Sequence, residues 1–542
     1  MDNKFKYNIL LLFFIAFLSC ESPSVFDTAT VEQAIENGDL AHESFQRSLD
    51  FTHAWLQKTD PESGLIPSNL QSKSDLWDPA NAAADNYPFM VLTAYLLDDE
   101  LFQGQLLDIL RQEKKLSSRV GLLPDVYSFS KKDFHENPIH MGHVIFGASE
   151  YIKDGLIPLT ELIGPSPWQD RMMEMLDELY RLTDDFTNLE KYFNRSASVA
   201  EINGEMLQTL SRVYWMTGDE KYLNWAIKIA DHYLLEIDFS QTEYLRLRDH
   251  GCEIIGGLSE LFLSLHHLKH PKVDAYRPPF YRLLDRILVF GRNADGLFYN
   301  AINLREPSVV DDRIADTWGY ILNAYYTAWW VDQKAEYIDA VRKPFQALNT
   351  HYRNYNWEPG AQRGPLGSHD GYADAIESGI NLLNRENHSD LRRWIDSEIQ
   401  VMFGMQQPDG IIEGWHGDGN FARTALMYAL WKTQGARLSP WNPSLRLGAA
   451  TTEKGNCFVI RASSHWSGKL IFDPIRHKTI LNLPIDYPRI NQFPEWFTVD
   501  PKLEYKITAS DPKLSNTYSG AKLLEGLPIA LAPGQRLIIA IE

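Results

Sequence analysis

Apolar residues recur at three- and four-residue steps through most of the chain, from about residue 39 to residue 436. In the stretch 220–235 the apolar positions are Tyr222, Leu223, Ala226, Ile229, Ala230 and Tyr233. This spacing predicts an amphipathic helix, for which Asp219 is a candidate N-cap. The stretches 315–330, 372–383 and 391–403 have similar spacing. The main part of the protein is therefore predicted to be helical.

The predicted helices form a long repeat. Polar segments containing Gly or Asn precede unusually apolar helices at intervals of roughly 45 to 65 residues, which predicts stacked supersecondary units. More amphipathic helices, rich in Lys, Arg and Glu, lie between them. This alternation indicates a ring of helical hairpins whose inner helices all start on one face. The predicted openings of the inner helices are 85–87, 140–143, 203–205, 249–251, 316–319, 370–372 and 417–420.

The pattern changes after about residue 438. Short runs rich in β-branched and aliphatic residues, at 445–447, 457–462, 469–472 and 537–541, are separated by Pro, Asn, Asp and Gly. We therefore predict a mainly α protein with an (α/α)6-7 toroid at 39–438 and an antiparallel β-sandwich domain at 439–542.

The N-terminus has the pattern of an export signal. Lys4 and Lys6 precede an apolar run at 9–18, which ends in Ser19 and Cys20. The run is much shorter than the roughly 20 residues of a membrane-spanning helix. A Cys directly after a small residue resembles the lipobox of bacterial lipoproteins; the alternative is an ordinary cleaved signal in which Cys20 is incidental.

On the lipoprotein interpretation, residues 1–19 are a signal peptide, Cys20 is lipidated and 20–38 form a tether. The protein is then expected to be anchored to the outer membrane, facing the periplasm or the cell surface. Its partners would be the membrane, through the lipid, and a substrate from outside the cytoplasm.

The charge and cysteine content limit the kinds of molecule that the protein is expected to bind. The 542 residues carry a formal net charge of -20, which disfavours binding to nucleic acid or to anionic lipid. An anionic substrate would need a local group of arginines. Cys252 and Cys457 lie far apart without metal-ligand spacing, so both are expected to be buried free thiols. No oligomeric state is predicted.

Four of the polar segments combine histidine with acidic residues or tyrosine: 135–143, 246–253, 368–377 and 413–423. In a closed ring these segments would converge on one face. Taken singly, Asp and Asn before a helix are N-caps more often than functional groups. His135, His140 and His143 do not have the spacing of a strong metal motif, so no metal and no cofactor are predicted.

The signal, the hairpins with outer helices such as TGDEKYLNWAIKIADHYL (217–234) and the β-rich C-terminus resemble the six-hairpin (α/α) carbohydrate-active enzymes. That family includes unsaturated uronyl hydrolases, polysaccharide lyases and sugar epimerases. The chain is also similar to lipoproteins of polysaccharide-utilisation systems, in particular the ulvan-oligosaccharide dehydratase type. The resemblance implies an envelope enzyme of polysaccharide degradation that acts on an anionic oligosaccharide.

Two reactions fit the predicted openings. Hydrolysis of a glycosidic bond needs two carboxyl groups, which Asp316, Asp370, Asp374, Glu377 and Glu413 could supply. Elimination of water from a non-reducing-end uronic acid needs a base, an acid and a cation that neutralises the carboxylate. The abundance of His, Tyr and Arg favours elimination.

We assign candidate roles on that basis. The predicted catalytic residues are His143, His250, His416, Tyr372, Asp316 and Asp370. The predicted substrate-binding residues are Tyr87, Arg246, Arg248, Trp318, His369, Trp415 and Arg423. A glycan-binding lipoprotein of the SusD type and a sugar epimerase are the alternatives outside this reaction class.

Overall fold

The computed structural model describes residues 26–183, 186–193, 196–358 and 369–542. The predicted signal peptide and Cys20 lie outside these residues. No helix among the described residues combines the length and the apolar content needed to cross a bilayer.

Within the described ranges, seven buried helical segments form a closed ring in which each contacts the next and the last contacts the first. We number them inner helices 1 to 7 in chain order. Their bounds are Tyr87–Leu97 (preceded by the π-helical turns Pro79–Asn86), Met141–Ile163 (with π-helical turns at Tyr151–Leu156), Ser196–Thr217, Glu253–His267, Trp318–Asp332, His369–Arg385 and Asn420–Lys432.

A second layer of more amphipathic helices surrounds the ring. Its bounds are Thr28–Leu56, Asp99–Gln103 with Gln105–Ser117, Pro167–Leu182, Glu220–Asp231, Lys272–Phe290, Ala335–Arg342 with Pro344–His351, and Ser389–Phe403. Each outer helix has polar residues towards solvent and an apolar face towards the ring. The predicted (α/α) toroid is therefore confirmed, with seven hairpins.

The third predicted opening is wrong in detail. Residues 203–205 lie inside inner helix 3 and not before it, because Ser196–Thr217 is helical throughout. Gly204 is needed for packing: a Cβ atom there would lie 2.2 Å from the backbone nitrogen of Ile254 in inner helix 4. A glycine that allows two helices to pack closely therefore looks, in the sequence, like a glycine in a turn.

The predicted tether also needs correction, since residues 28–38 form the start of the outer helix Thr28–Leu56. Val31 and Ala34 of this helix are buried against the C-terminal domain, and the side chain of Asn37 donates a hydrogen bond to the carbonyl of Ala449. Gly448 allows this approach, because a Cβ atom there would overlap the carbonyl of Ala34. Residues 28–38 are therefore part of a folded helix that packs against the C-terminal domain.

Two antiparallel sheets build the C-terminal domain. The larger sheet has the strand order Leu445–Thr451, Asn456–Ala462, Arg536–Ile541, Glu504–Ala509, Asn516–Ser519. The smaller has the order Leu527–Leu531, Trp466–Ile471, Arg437–Ser439. Phe458 and Ile539 from one sheet and Leu470 and Leu531 from the other share a single apolar core, so the domain is a sandwich.

Between strands Trp466–Ile471 and Thr498–Val499 the chain leaves the sandwich and crosses the ring. In this crossing segment, residues 475–497, Leu481, Leu483 and Tyr487 pack against Leu263 near the end of inner helix 4. Trp496 stacks on Trp431 near the end of inner helix 7. The segment closes the end of the ring where the inner helices finish, which leaves the end where they start open.

Shorter elements connect these parts. Small antiparallel sheets lie at the open end, formed by Leu76–Trp77, Tyr127–Ser128 and Asp133–Phe134, by Ser118–Val120 and Leu123–Pro124, and by Leu245–Arg246, Tyr299–Asn303 and Ser308–Ile314.

Candidate active site

A cleft of about 280 Å³ opens among the starts of the inner helices. Inner helices 1, 2, 4, 5, 6 and 7 contribute its walls, and Ile490 and Asn491 of the crossing segment form its floor. The side chain of Asn491 donates a hydrogen bond of 2.6 Å to Asp154, so the C-terminal domain takes part in the site. Nothing in the sequence pattern indicated this contribution.

Carboxyl groups dominate the lining. They come from different elements and include Asp85, Glu150, Asp154, Asp249, Glu253, Glu358, Asp370 and Asp374. Asp85 and Asp154 both lie in π-helical turns, which widen the helix and are frequent at functional sites. The lysine and arginine side chains of the lining, Lys153 and Arg423, are fewer than the carboxylates.

Both cations are already paired. The ammonium of Lys153 lies 2.7 Å from Asp154 and also contacts Glu253. The guanidinium of Arg423 contacts Glu377 at 2.9 Å, and it lies 3.7 Å from Asp374. In the part of the chain that the structure describes, the cleft therefore keeps unpaired carboxyl groups after its internal ion pairs are formed.

This environment raises the pKa of several acids. Burial raises the pKa of Asp370, and the negative charges of Asp418 and Asp249 raise it further. Burial, with Asp370 and Asp316 as anionic neighbours, raises the pKa of Asp374 well above its usual range. Burial also raises the pKa of Asp316 to about 6, with the charges of Asp249 and Asp370 acting in the same direction.

Asp249, in contrast to these acids, is surrounded by basic side chains. It begins the short 3₁₀ turn Asp249–Cys252 with a left-handed backbone (φ 50°), which a short polar side chain tolerates. Its carboxylate contacts the guanidinium of Arg246 and lies 3.3 Å from Nε2 of His250. Burial alone would raise its pKa, but His250, Arg246 and Arg248 together hold the pKa below its usual range.

The structure brings several predicted residues together in the cleft. His250, Asp370, Trp415, His416 and Arg423 line it. Nε2 of His416 lies 4.0 Å from Asp85. Trp415 stands at the rim with 59% of its surface exposed, and the ammonium of Lys73 lies 5.1 Å from its ring centroid.

Other predicted residues lie next to the cleft. Asp316 is buried beside it and accepts a hydrogen bond from the backbone N–H of Thr317. Arg246 pairs with Glu201 and Asp249, and Arg248 lies 3.7 Å from Glu358. His369 is buried, with Nε2 at 2.6 Å from Asp418.

His140 and His143 line a neighbouring cavity of about 290 Å³, where their rings stack at 4.0 Å. This cavity shares Ala80, Asn81 and Phe146 with the cleft, so the two form adjoining parts of one depression. His143 is therefore placed beside the acidic group and not within it.

Three predicted residues face away from the cleft. The hydroxyl of Tyr87 donates a hydrogen bond to the carbonyl of Leu106 and accepts one from Trp168, both in the outer layer. Trp318 packs edge-on against Trp394 of the outer layer. Tyr372 is buried near Glu398, which lies on the same outer helix as Trp394. Burial raises the pKa of the Tyr372 hydroxyl, and the negative charge of Glu398 raises it further. The predicted roles of these three in the cleft are wrong.

Four acidic residues of the inner helices have no predicted role, although two of them lie in the named segments 203–205 and 246–253. Glu150, Asp154, Glu205 and Glu253 lie in or at the start of inner helices 2, 3 and 4, where polar residues in apolar segments were the available signal. Acids in helices that are otherwise buried on all sides indicate an internal polar site.

No family model matches the chain, and no curated protein matches it. Among solved structures it is similar to the α-1,6-mannanase GH76A of Salegentibacter sp. HEL1_6, with 12% identity over 71% of this chain and 98% of that chain and a TM-score of 0.39. The mannosidase Bt3792 of Bacteroides thetaiotaomicron gives 10% identity, 72% and 98% coverage and a TM-score of 0.38. The unsaturated glucuronyl hydrolase of Bacillus sp. GL1 gives 11% identity, 55% and 87% coverage and a TM-score of 0.37.

Proposed function

We propose that this chain is a carbohydrate-active enzyme that hydrolyses a glycosidic bond of an oligosaccharide bound in the cleft. The observation that supports this is the pair Asp249 and Asp370. These two carboxyl groups lie in one cleft, and their surroundings shift their pKa values in opposite directions. Glycoside hydrolysis needs one carboxyl group that donates a proton and a second that is ionised.

Asp370 suits the role of the acid. Its carboxyl accepts a hydrogen bond of 2.9 Å from the side chain of Asn420, and no lysine or arginine of the described residues lies within ion-pair distance. Burial and nearby anions raise its pKa, so it keeps its proton to higher pH than an ordinary aspartate. It can therefore protonate the oxygen of the leaving sugar.

Asp249 suits the role of the base or nucleophile. The guanidinium of Arg246 contacts its carboxylate, and that of Arg248 lies 3.9 Å away. These two guanidiniums stabilise the ionised form of the Asp249 carboxylate in the cleft. It is thus available to activate water or to attack the sugar directly.

The shape of the cleft suits a chain of sugars. The cleft and the cavity next to it adjoin through shared walls, so a bound ligand can extend beyond one sugar ring. The exposed face of Trp415 at the rim offers a surface on which the C–H face of a sugar ring can stack. We propose that Trp415 holds a sugar next to the bond that is cleaved.

Elimination of water from a terminal uronate, as in the ulvan-oligosaccharide dehydratase type, is the second candidate. His250 and His416 in the cleft favour it, since imidazoles suit both proton transfers. The arginines weigh against it, because Arg246 and Arg423 are each occupied by a carboxylate of the protein. Arg248 likewise lies 3.9 Å from Asp249. A cleft in which the described guanidiniums all face protein carboxylates fits a neutral sugar better than a uronate.

Product analysis tests the proposal. Purified protein is incubated with neutral and uronate-containing oligosaccharides, and the products are analysed by mass spectrometry and ultraviolet absorbance. Gain of one water with release of a shorter sugar supports hydrolysis. Loss of one water with a new absorbance and no shorter chain would establish elimination. Binding without either product would instead favour a glycan-binding protein.

We further propose that the protein is exported and lipidated at Cys20, as the N-terminal pattern predicts. Cys20→Ser is then expected to move the protein from the membrane fraction to the soluble fraction of its host. Retention of the variant in the membrane fraction would contradict lipidation.

A further inference from the structure

Below the cleft, two buried carboxyl groups accept no hydrogen bond from the described residues. The side chains of Glu150 and Glu205 are 1% and 0% exposed. All four of their carboxylate oxygens are buried without a hydrogen-bond donor within the described parts of the chain, and so is Oδ2 of Asp154. Burying ionised carboxylates without a partner is strongly unfavourable.

Two inner helices and the turn before a third bring these groups together. Glu150 and Asp154 lie on inner helix 2, where the α-helix Met141–Glu150 passes into the π-helical turns Tyr151–Leu156. Glu205 lies within inner helix 3, and His250 lies in the 3₁₀ turn before inner helix 4. One oxygen from each glutamate and one ring nitrogen of His250 all lie within 4.8 Å of one another.

The orientation of His250 is that of a metal ligand. Its Nδ1 faces the glutamates, 3.5 Å from Oε1 of Glu150 and 3.8 Å from Oδ2 of Asp154. Its other nitrogen, Nε2, faces the carboxylate of Asp249 at 3.3 Å. Metal-bound histidines commonly donate their second N–H to a carboxylate in this way, which fixes the ring and its tautomer.

Apart from His250 itself, no basic side chain of the described residues pairs with the two glutamates. Lys153 is close by, but its ammonium is bound by Oδ1 of Asp154 and by Glu253. Gln208 donates to Glu253 and not to Glu150 or Glu205. Among the described residues the site thus holds more carboxyl groups than basic side chains, an imbalance that a bound divalent cation would offset.

We propose that Glu150, Glu205 and His250 bind a first-row divalent transition metal, Zn²⁺ or Mn²⁺, with Oδ2 of Asp154 available as a fourth ligand. Two carboxylates and an imidazole suit these ions, whereas Ca²⁺ and Mg²⁺ prefer oxygen ligands alone. Metal–ligand distances of roughly 2.0–2.2 Å bring ligand atoms closer together than 4.8 Å, so binding requires only a small inward movement of the side chains.

The proposed metal site would lie below the cleft and hold residues of the cleft in position. Glu150, Asp154 and His250 all line the cleft, and the proposed ion would share His250 with the carboxylate of Asp249. A bound ion would therefore fix the positions of His250 and Asp249 at the same time. The proposal holds whether the cleft performs hydrolysis or elimination.

The competing explanation is that the two carboxyls share a proton. Metal analysis of the purified full-length protein separates the two cases. We expect about one equivalent of Zn²⁺ or Mn²⁺ per chain, removed by a chelator and restored by adding the metal alone. Calorimetric titration of the metal-free protein should give one site, and the midpoint of thermal unfolding should rise by several degrees on loading.

Glu205→Gln and His250→Gln are each expected to weaken metal binding at least tenfold and to abolish the metal-dependent thermal shift. Glu43→Gln on the outer helix Thr28–Leu56 changes the same chemical group on the surface and should bind metal like the wild type. If a variant does not fold, the wild-type titration still decides the question.

His477→Gln is a second control, because His477, Asp486 and Glu495 form the other group of the described residues that could hold an ion. Asp486 in that group is already paired with Arg385 and Arg489. Metal that is lost in His477→Gln and kept in Glu205→Gln would overturn our assignment. A wild-type protein that binds no metal, together with a Glu205→Gln variant of raised thermal stability, would establish the shared proton instead.

Discussion

The two ends of the helical ring both enclose acidic side chains, but the two ends differ in how basic side chains pair with them. At the closed end, Arg212 lies between Glu161 and Glu260, and Arg489 contacts the same Glu161. At the open end, Asp85 and Asp370 have no lysine or arginine of the described residues at ion-pair distance. Buried acids are therefore paired with basic side chains at the closed end, where they contribute to the fold alone.

The difference separates structure from function. Fully paired buried ions restrict the crossing segment to one position on the ring, although they add little net stability. Unpaired acids with shifted pKa values are costly, and they are concentrated where chemistry or ligand binding can use them. We therefore expect substitutions at the closed end to affect folding and substitutions at the open end to affect activity.

The largest expected effect is that of Asp370→Asn on activity. An amide cannot donate a proton to the leaving sugar, so kcat/KM should fall about 10³–10⁴-fold. Because the change removes a partly buried acid that no lysine or arginine of the described residues pairs with, the thermal midpoint should stay the same or rise. The measurements are steady-state kinetics and thermal unfolding. Asp108→Asn on the outer helix Gln105–Ser117 is the control and should change neither.

Arg212→Met tests the closed end. Removing this guanidinium leaves Glu161 and Glu260 buried with less compensation, and the free energy of unfolding should fall by about 3–5 kcal/mol. Urea denaturation measures the change. Arg111→Met, at an exposed ion pair, should cost less than 1 kcal/mol. A stable Arg212→Met protein would show that the paired charges do not restrain this end of the ring.

The pH dependence of stability tests the open end. Asp316 has a pKa of about 6 in the folded protein against 3.8 in an unfolded chain, so the folded state binds its proton more tightly. Its contribution to stability is present below pH 4 and is lost as the pH rises through 6. Asp316→Asn should therefore gain about 2–3 kcal/mol relative to the wild type between pH 4 and pH 7.

Denaturation curves at several pH values measure this difference. Asp108→Asn should follow the wild type at every pH, because its carboxylate is exposed on the outer layer. A constant difference between Asp316→Asn and the wild type would mean that Asp316 titrates normally in the folded protein.

The smallest expected effect is that of Trp415→Ala. Loss of a stacking surface at the rim should raise KM about 5- to 10-fold, roughly 1 kcal/mol, with kcat almost unchanged. Stability should change little, because the ring is exposed. Val289→Ala, at an exposed position of the outer layer, is the control for surface truncation. An equal fall in kcat would instead place Trp415 in the chemical step.

The sequence by itself determined the architecture. Periodic apolar positions and polar segments at a regular interval predicted the hairpin ring, and the change of pattern near residue 438 predicted the β domain. His250, Asp370 and His416 were found because polar residues at the starts of buried helices must meet on one face of a closed ring.

Only the tertiary structure decided which side chains face inward. Asp370 and Tyr372 are two positions apart, about 200° around the helix, so one lines the cleft and the other faces the outer layer. In a helix that is buried on all sides, the apolar pattern does not mark the inner face.

The same reason hid the proximity of Glu150 and Glu205, which lie within two apolar helices and meet only when these helices pack together. The floor of the cleft was hidden for a different reason. Asn491 reaches Asp154 from 337 residues further along the chain, and local sequence patterns do not encode contacts at such separation.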